Sequence, residues 1–280
     1  MDKIGDRIKN IEQEQGAEGV KEFSKVLMEW GGWFEEEFEE KEQRKGRIIY
    51  AGGDDFFGVI FNKDFPHKSQ ASVSGQEILD WLQTLPQQWL KDKPEHLQDL
   101  TFSLGFVWAA PGVPQRDILQ HCREAQKEAK NKGRDRVAIR VVFSSGQYVQ
   151  WVCPWDDLAI LKGYEDLDGQ GNWSHIYGDF AQLRSRGAFS LHFKTPEEQS
   201  NPKIEGQEII KNRDALLAFM GIYFPEKQQQ EVFQGKELQL FPTQNQGDRA
   251  WSMIQWLTDL INVGWYLCGK GEGVENNGRI

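Results

Sequence analysis

GRIIYAGGDDFFGVIFN, residues 46–62, decides how this chain reads. Two short runs rich in β-branched and aromatic residues flank Gly52-Gly53-Asp54-Asp55, the pattern of a β-hairpin closed by a tight turn. Such a turn sets two carboxylates side by side at a sheet edge, where oxygen ligands can hold one or two Mg2+ ions. Gly52 and Gly53 carry no side chains, so a nucleotide base or ribose can lie against the backbone there. Glycine also opens dihedrals closed to other residues. Gly and Asp are common in ordinary turns as well, so the meaning of this turn depends on its surroundings.

Upstream, residues 3–14 and 17–43 read as helices. The second carries Val20, Phe23, Val26, Leu27, Trp30 and Phe34 at helical spacing before an acidic end, Glu35 to Glu42. Downstream, Ile78, Trp81, Leu82, Leu85 and Trp89 share one face of a helix between Ser74 and Leu90, with Pro86 near its end. A strand follows at Leu100 to Ala109. Pro114 then opens a helix striped by Ile118, Cys122, Ala125 and Ala129, and Gly133 stops it. Residues 136–152 read as a strand pair. The order helix, helix, hairpin, helix, strand, helix, strand predicts an α+β fold with an antiparallel sheet. Beyond residue 155 the strand signal fades, and helices are expected at 156–163, 175–186, 207–220 and 247–266. Polar stretches at Gln228–Gln234 and Pro242–Gly247 read as loops. The division expected is 1–154 for the α+β domain and 155–280 for a mainly helical one.

Two further segments bear on the turn. Thr101 to Ala109 contains Ser103-Leu104-Gly105, whose glycine permits close backbone approach. Glu124 to Ile139 carries Lys130 near a helix end, with Arg134 and Arg136 beyond it, placed to reach polyphosphate oxygens. Taken alone, basic residues at a helix C-terminus simply complement the helix dipole.

Hairpin, Ser-x-Gly strand and Lys-Arg helix, in this order and at these separations, resemble the palm (ferredoxin-like, GGDEF-like) domain shared by diguanylate cyclases and the large subunit of type III CRISPR effector complexes of the Cmr/Csm kind. The run Ile-Tyr-Ala-Gly-Gly-Asp-Asp, with Asp55 where a diguanylate cyclase has Glu, is similar to the CRISPR branch. The motifs cover residues 1–152; the helical remainder resembles the family's C-terminal domain in position and helix content only. The resemblance implies a nucleotidyltransferase of antiviral defence that condenses ATP into cyclic oligoadenylate with Mg2+ (or Mn2+). It makes Asp54 and Asp55 the catalytic metal ligands, Gly52, Gly53 and Ser103 part of the nucleotide pocket, and Lys130 and Arg134 triphosphate contacts. Its implied partners are the other effector subunits, with guide and target RNA reached through the complex.

The family's first palm strand ends in Asp-x-Asp followed by a phosphate-binding loop. The opening MDKIGDRI is similar to the tail of that motif, with Asp2 at the second, metal-ligating Asp position and Ile4 and Gly5 in the loop. The strand itself and the first Asp are expected to be missing. A palm sheet lacking that central strand leaves unpaired backbone edges on both neighbours. Another chain supplies it, or the sequence is a fragment.

Composition narrows the function further. With 33 Lys and Arg against 43 Asp and Glu, the net charge is −10, which argues against gripping nucleic acid over the whole surface. No apolar run is long enough to span a membrane and the N-terminus lacks a signal-peptide core, so a cytoplasmic location is expected. Cys122, Cys153 and Cys268 show no metal-binding spacing and read as buried thiols. None of the five histidines precedes an Asp, so no His-Asp nuclease activity is expected. Glu165, Asp166 and Asp168 lack the spacing of a calcium loop and read as a surface turn. Two alternatives stand beside the cyclic oligoadenylate synthase: a catalytically inactive assembly module of the same complex, and a diguanylate cyclase-like enzyme using GTP.

Overall fold

In a computed structural model of the chain, the structure describes residues 2–40, 46–52, 55–61, 73–91, 100–188, 215–224 and 246–269. These fall into two compact units, Met1–Ser103 and Leu104–Ile280. The boundary expected near residue 154 lies inside the second unit.

The first unit opens with α1 (Ile4–Glu40), which breaks at Gly16, where φ is +68° and ψ is −162°. The sequence reads as two helices meeting there, and Gly reaches this backbone conformation without steric cost. Phe23, Leu27 and Trp30 form the buried stripe of its second half, and the helix packs on the strand that follows. That strand, β1 (Gly46–Gly52), pairs antiparallel with β2 (Asp55–Ile60). Ile48 is buried, and the register shifts between Ile48 and Tyr50. α2 (Gly75–Lys91) begins with a reciprocal capping box: the Ser74 N–H donates to Glu77 Oε2 at 2.8 Å, and the Glu77 N–H to Ser74 Oγ at 3.2 Å. Its buried face is Ile78, Leu79, Leu82 and Leu85; Pro86 is carried inside the helix.

In the second unit, β3 (Leu104–Ala109), α3 (Gln115–Asn131) and β4 (Arg136–Val142) form a βαβ crossover, so β3 and β4 run parallel. β5 (Tyr148–Pro154) returns antiparallel to β4. Antiparallel pairing thus holds for β1–β2 and β4–β5, while the sheet β3-β4-β5 is mixed. Among the described residues the strands form two separate sheets of two and three strands.

Every residue of β4 is buried, as expected for a central strand covered on both faces. Ala125 and Ala129 of α3 cluster with Ala138 and Val152 on one face. The other face carries Trp151, which meets Trp256 of the last helix with ring centroids 5.3 Å apart. A 3-10 turn (Trp155–Leu158), α4 (Ala159–Gly163), α5 (Ser174–Ser185), a helical stretch α6 at 215–223 and α7 (Gln246–Leu267) complete the unit. The start of the helix expected at 207–220 and the loop at Gln228–Gln234 lie outside the described residues. α7 begins inside the stretch expected as a loop at 242–247.

Aromatic rings knit these helices. Tyr177 stacks on Trp265 at 4.9 Å, and Tyr164 packs on Trp173 at 4.0 Å. Trp30, Trp151, Trp155, Trp173 and Trp256 are all buried, the core placement that large aromatics favour. The three cysteines form no disulfide. No helix among the described residues is long and apolar enough to cross a membrane.

Candidate functional site

Gly52 pairs with Asp55 across the hairpin, so two residues, Gly53 and Asp54, close the turn. Both lie outside the described residues. A two-residue closure is the tightest β-hairpin connection. Asp55 is exposed at the first position of β2, and its carboxylate is open to a hydrated cation. Gly52 is absent from the described glycines of positive φ, so its dihedrals do not demand glycine. Space does: a Cβ on Gly52 would lie 2.5 Å from the phenol oxygen of Tyr50. The room gained by the missing side chain is covered by Tyr50, itself 58% exposed.

Asp2 is buried, at 3% exposure. Ser103 Oγ lies 2.9 Å from its Oδ1 and 2.8 Å from its Oδ2, Thr101 Oγ1 lies 3.1 Å from Oδ2, and the Asp2 N–H donates to the Thr101 carbonyl at 2.8 Å. Two candidates about a hundred residues apart in sequence are therefore joined directly. Thr101 and Ser103, two residues apart on extended backbone, project to the same side. Ile4 and Gly5 occupy the first turn of α1, where backbone N–H groups are not used within the helix. Nothing lies within 4 Å of where a Gly5 Cβ would stand.

Lys130 sits half-buried in the last turn of α3, and Arg134 is exposed beyond it. Three successive residues, Gly133, Arg134 and Asp135, have positive φ (127°, 63° and 49°), turning the chain sharply from α3 into β4. The Arg134 N–H donates to the Ala129 carbonyl at 3.2 Å and helps close the helix end. Arg136 departs from its expected role: it is 8% exposed, with its guanidinium beneath Gly133. Burial lowers its pKa, opposed by Cys153, Asp157 and Asp135. It supports the core instead of reaching for phosphate. Gly105 also serves the core, because α3 rests directly on it: a Cβ there would stand 2.5 Å from the Cys122 carbonyl oxygen.

The sequence gave no hint of a polar cluster under the first half of α3. Arg140, 2% exposed, donates through Nη1 to Glu124 at 2.8 Å and through Nε to Gln150 at 2.8 Å, and Nη1 is also 2.8 Å from His121 Nδ1. Its guanidinium lies 4.0 Å from the centroid of the Tyr148 ring, a cation–π distance. A charged residue inside a strand of otherwise apolar residues was the only available signal. Asp166, Asp168 and His175 bring ligand-type atoms within 4.8 Å. Asp166 accepts from the Tyr164 hydroxyl and the Leu167 and His175 N–H groups, and Asp168 from Gln170 and Asn172. The acids thus organise the expected surface turn.

The carboxylates of Asp2 and Asp55 are hard oxygen donors, the type that Mg2+ and Mn2+ prefer. A carboxylate offers about four acceptor sites, more than the two hydroxyl protons of Ser103 and Thr101 can fill. The residues fit a divalent cation on these grounds.

A glycine-flanked acidic hairpin followed by a βαβ crossover defines the palm class of nucleotide-handling domain. Residues 1–138 match the family described as Cas10/Cmr2, second palm domain, which supports a palm domain of the type III CRISPR large-subunit kind. The matched segment takes in the whole first unit and runs through β3 and α3 into β4. No curated protein matches the chain.

Proposed function

We propose that the palm domain condenses ATP into cyclic oligoadenylate within a cytoplasmic type III CRISPR effector complex. The observation that carries this reading is the Gly52–Asp55 closure of a two-residue turn, inside a segment matching the second palm domain of Cas10/Cmr2.

In this reading Asp54 and Asp55, with Asp2, hold Mg2+ (or Mn2+), and Gly52 and Gly53 give a nucleotide access to backbone. Lys130 and Arg134 contact the triphosphate, Lys as a point charge and Arg as a fork. The amides of Ile4 and Gly5 at the α1 N-terminus face phosphate. A bound divalent ion supplies charge neutralisation and polarisation of the α-phosphate. A ribose hydroxyl of one nucleotide forms a bond to the α-phosphorus of another, the bond to the β-phosphate oxygen breaks, and pyrophosphate leaves. The net charge of −10 fits a chain whose guide and target RNA are held by other subunits.

The test is incubation with Mg2+ and labelled ATP, with and without partner subunits and target RNA. Cyclic adenylate product supports the reading, and its absence under every combination defeats it. A preference for GTP would point to a diguanylate cyclase-like activity instead. One observation favours a second role as an assembly module: Ile49, Tyr50, Val59 and Phe61 leave the hairpin with exposed apolar side chains, as surfaces that meet a partner do. Subunit binding without ATP or Mg2+ binding would favour that role alone.

A further inference from the structure

Ser103 has two conceivable uses. A hydroxyl at the entry to a strand can touch a nucleotide, or it can orient another side chain, and the structure shows how it is employed. Its Oγ lies within 2.9 Å of both carboxylate oxygens of Asp2, so its single proton is shared between them. Thr101 adds a second donor on Oδ2, and the backbone bond from Asp2 to Thr101 fixes the Cα from which the carboxylate hangs. Two hydroxyls and one amide thus settle both the position of Asp2 and the plane of its carboxylate. Ser103, at 6% exposure, is as enclosed as Asp2 itself.

The chemistry of the donors matters as much as their number. Hydroxyls are neutral, so they orient the carboxylate without cancelling its charge, as an ammonium or guanidinium group does. Carboxylates that ligate a metal are themselves oriented by hydrogen bonds from an outer shell, and loss of such a partner typically weakens metal affinity 10- to 100-fold.

We propose that Ser103, assisted by Thr101, is a positioning residue that presents the Asp2 carboxylate to a divalent cation, in place of the nucleotide contact its sequence context suggests. This rests on the reading of Asp2 as a metal ligand.

The probe is Mn2+ alone, titrated into the full chain and followed by electron paramagnetic resonance, with thermal unfolding recorded on the same samples. The site that counts is the one abolished by Asp2→Asn. Ser103→Ala is expected to weaken Mn2+ at that site by about tenfold, Ser103→Thr to restore it, and Thr101→Val to cause a smaller loss. Unchanged Mn2+ affinity in Ser103→Ala, with only a lower melting temperature, would make Ser103 a structural tie and overturn the proposal while leaving the metal reading intact. Should Ser103→Ala fail to fold, unchanged affinity in Thr101→Val overturns it equally. A wild-type chain with no Mn2+ site sensitive to Asp2→Asn removes Asp2 from the metal site, and the proposal with it.

Discussion

Gly105 of β3 lies so close beneath α3 that a Cβ there would stand 2.5 Å from the backbone carbonyl oxygen of Cys122, with the Gln126 backbone nitrogen equally in the way. Neither obstacle is a flexible side-chain end, so the helix has to lift off the strand to admit a methyl group. Gly105→Ala is expected to lower stability by about 1–3 kcal/mol, the usual cost of overpacking. Urea denaturation checks it; an unchanged midpoint would show that α3 does not press on β3.

A similar approach occurs in the helical part of the second unit. A Cβ on Gly264 of α7 would come within 2.5 Å of Cε3 in the Trp173 indole, and Trp173 is fully buried with φ of 59°. The ring has no empty space to retreat into. Gly264→Ala is therefore expected to cost about 1–3 kcal/mol and to shift the near-ultraviolet circular dichroism of the tryptophans.

Glu124 ties acid sensitivity to the Arg140 cluster. Hydrogen bonds from Arg140 and Gln120 pull its carboxyl below the ordinary value of 4.5. A depressed folded-state pKa contributes stability above the unfolded value and loses it as pH falls through the folded one. The chain is expected to weaken below about pH 4.5, and Glu124→Gln to flatten that part of the profile. The same variant should destabilise at pH 7, because Arg140, at 2% exposure, loses its carboxylate. Urea midpoints across pH 3 to 7 measure both effects.

Asp259 on α7 carries the opposite sign. Burial pushes its carboxyl up to about 7, against the Gln255 hydrogen bond and the fields of Lys132 and Arg184. A raised folded-state pKa gives stability that is complete below the unfolded value of 3.8 and is lost as pH rises toward the folded one. The loss runs at about 1.4 kcal/mol for each pH unit separating the two values. Asp259→Asn, whose Oδ1 can still accept from Gln255, is expected to remove this decline and to stabilise the chain at pH 8. A variant no more stable than wild type at pH 8 would contradict it.

Much of this architecture is visible in single residues. The break in α1 is written in Gly16, the hairpin closure in Gly52 to Asp55, and the end of α3 in Gly133, because each is a local backbone requirement. The start of α2 was equally readable, since Ser74 and Glu77 stand at capping-box spacing. Side-chain meetings across the chain were not readable: Asp2 reaches Ser103 across about a hundred residues, and Arg140 gathers Glu124, His121, Gln150 and Tyr148 from two other elements. Arg136 and Gly105 show the same limit. Their residue types suit phosphate binding and ligand approach, yet packing of α3 assigns both to the core. Leu79, fully buried beside Ile78, escaped the helical stripe because that face of α2 is wider than a single stripe.

The central claim is that paired aspartates at the hairpin turn gather Mg2+ around ATP. Calorimetric titration of ATP into the full chain, with and without Mg2+, tests it most directly when wild type is compared with a chain carrying Asp54→Asn and Asp55→Asn. The expected result is ATP binding that Mg2+ strengthens in wild type and leaves unchanged in the double variant. Equal Mg2+ dependence in both proteins would contradict the claim.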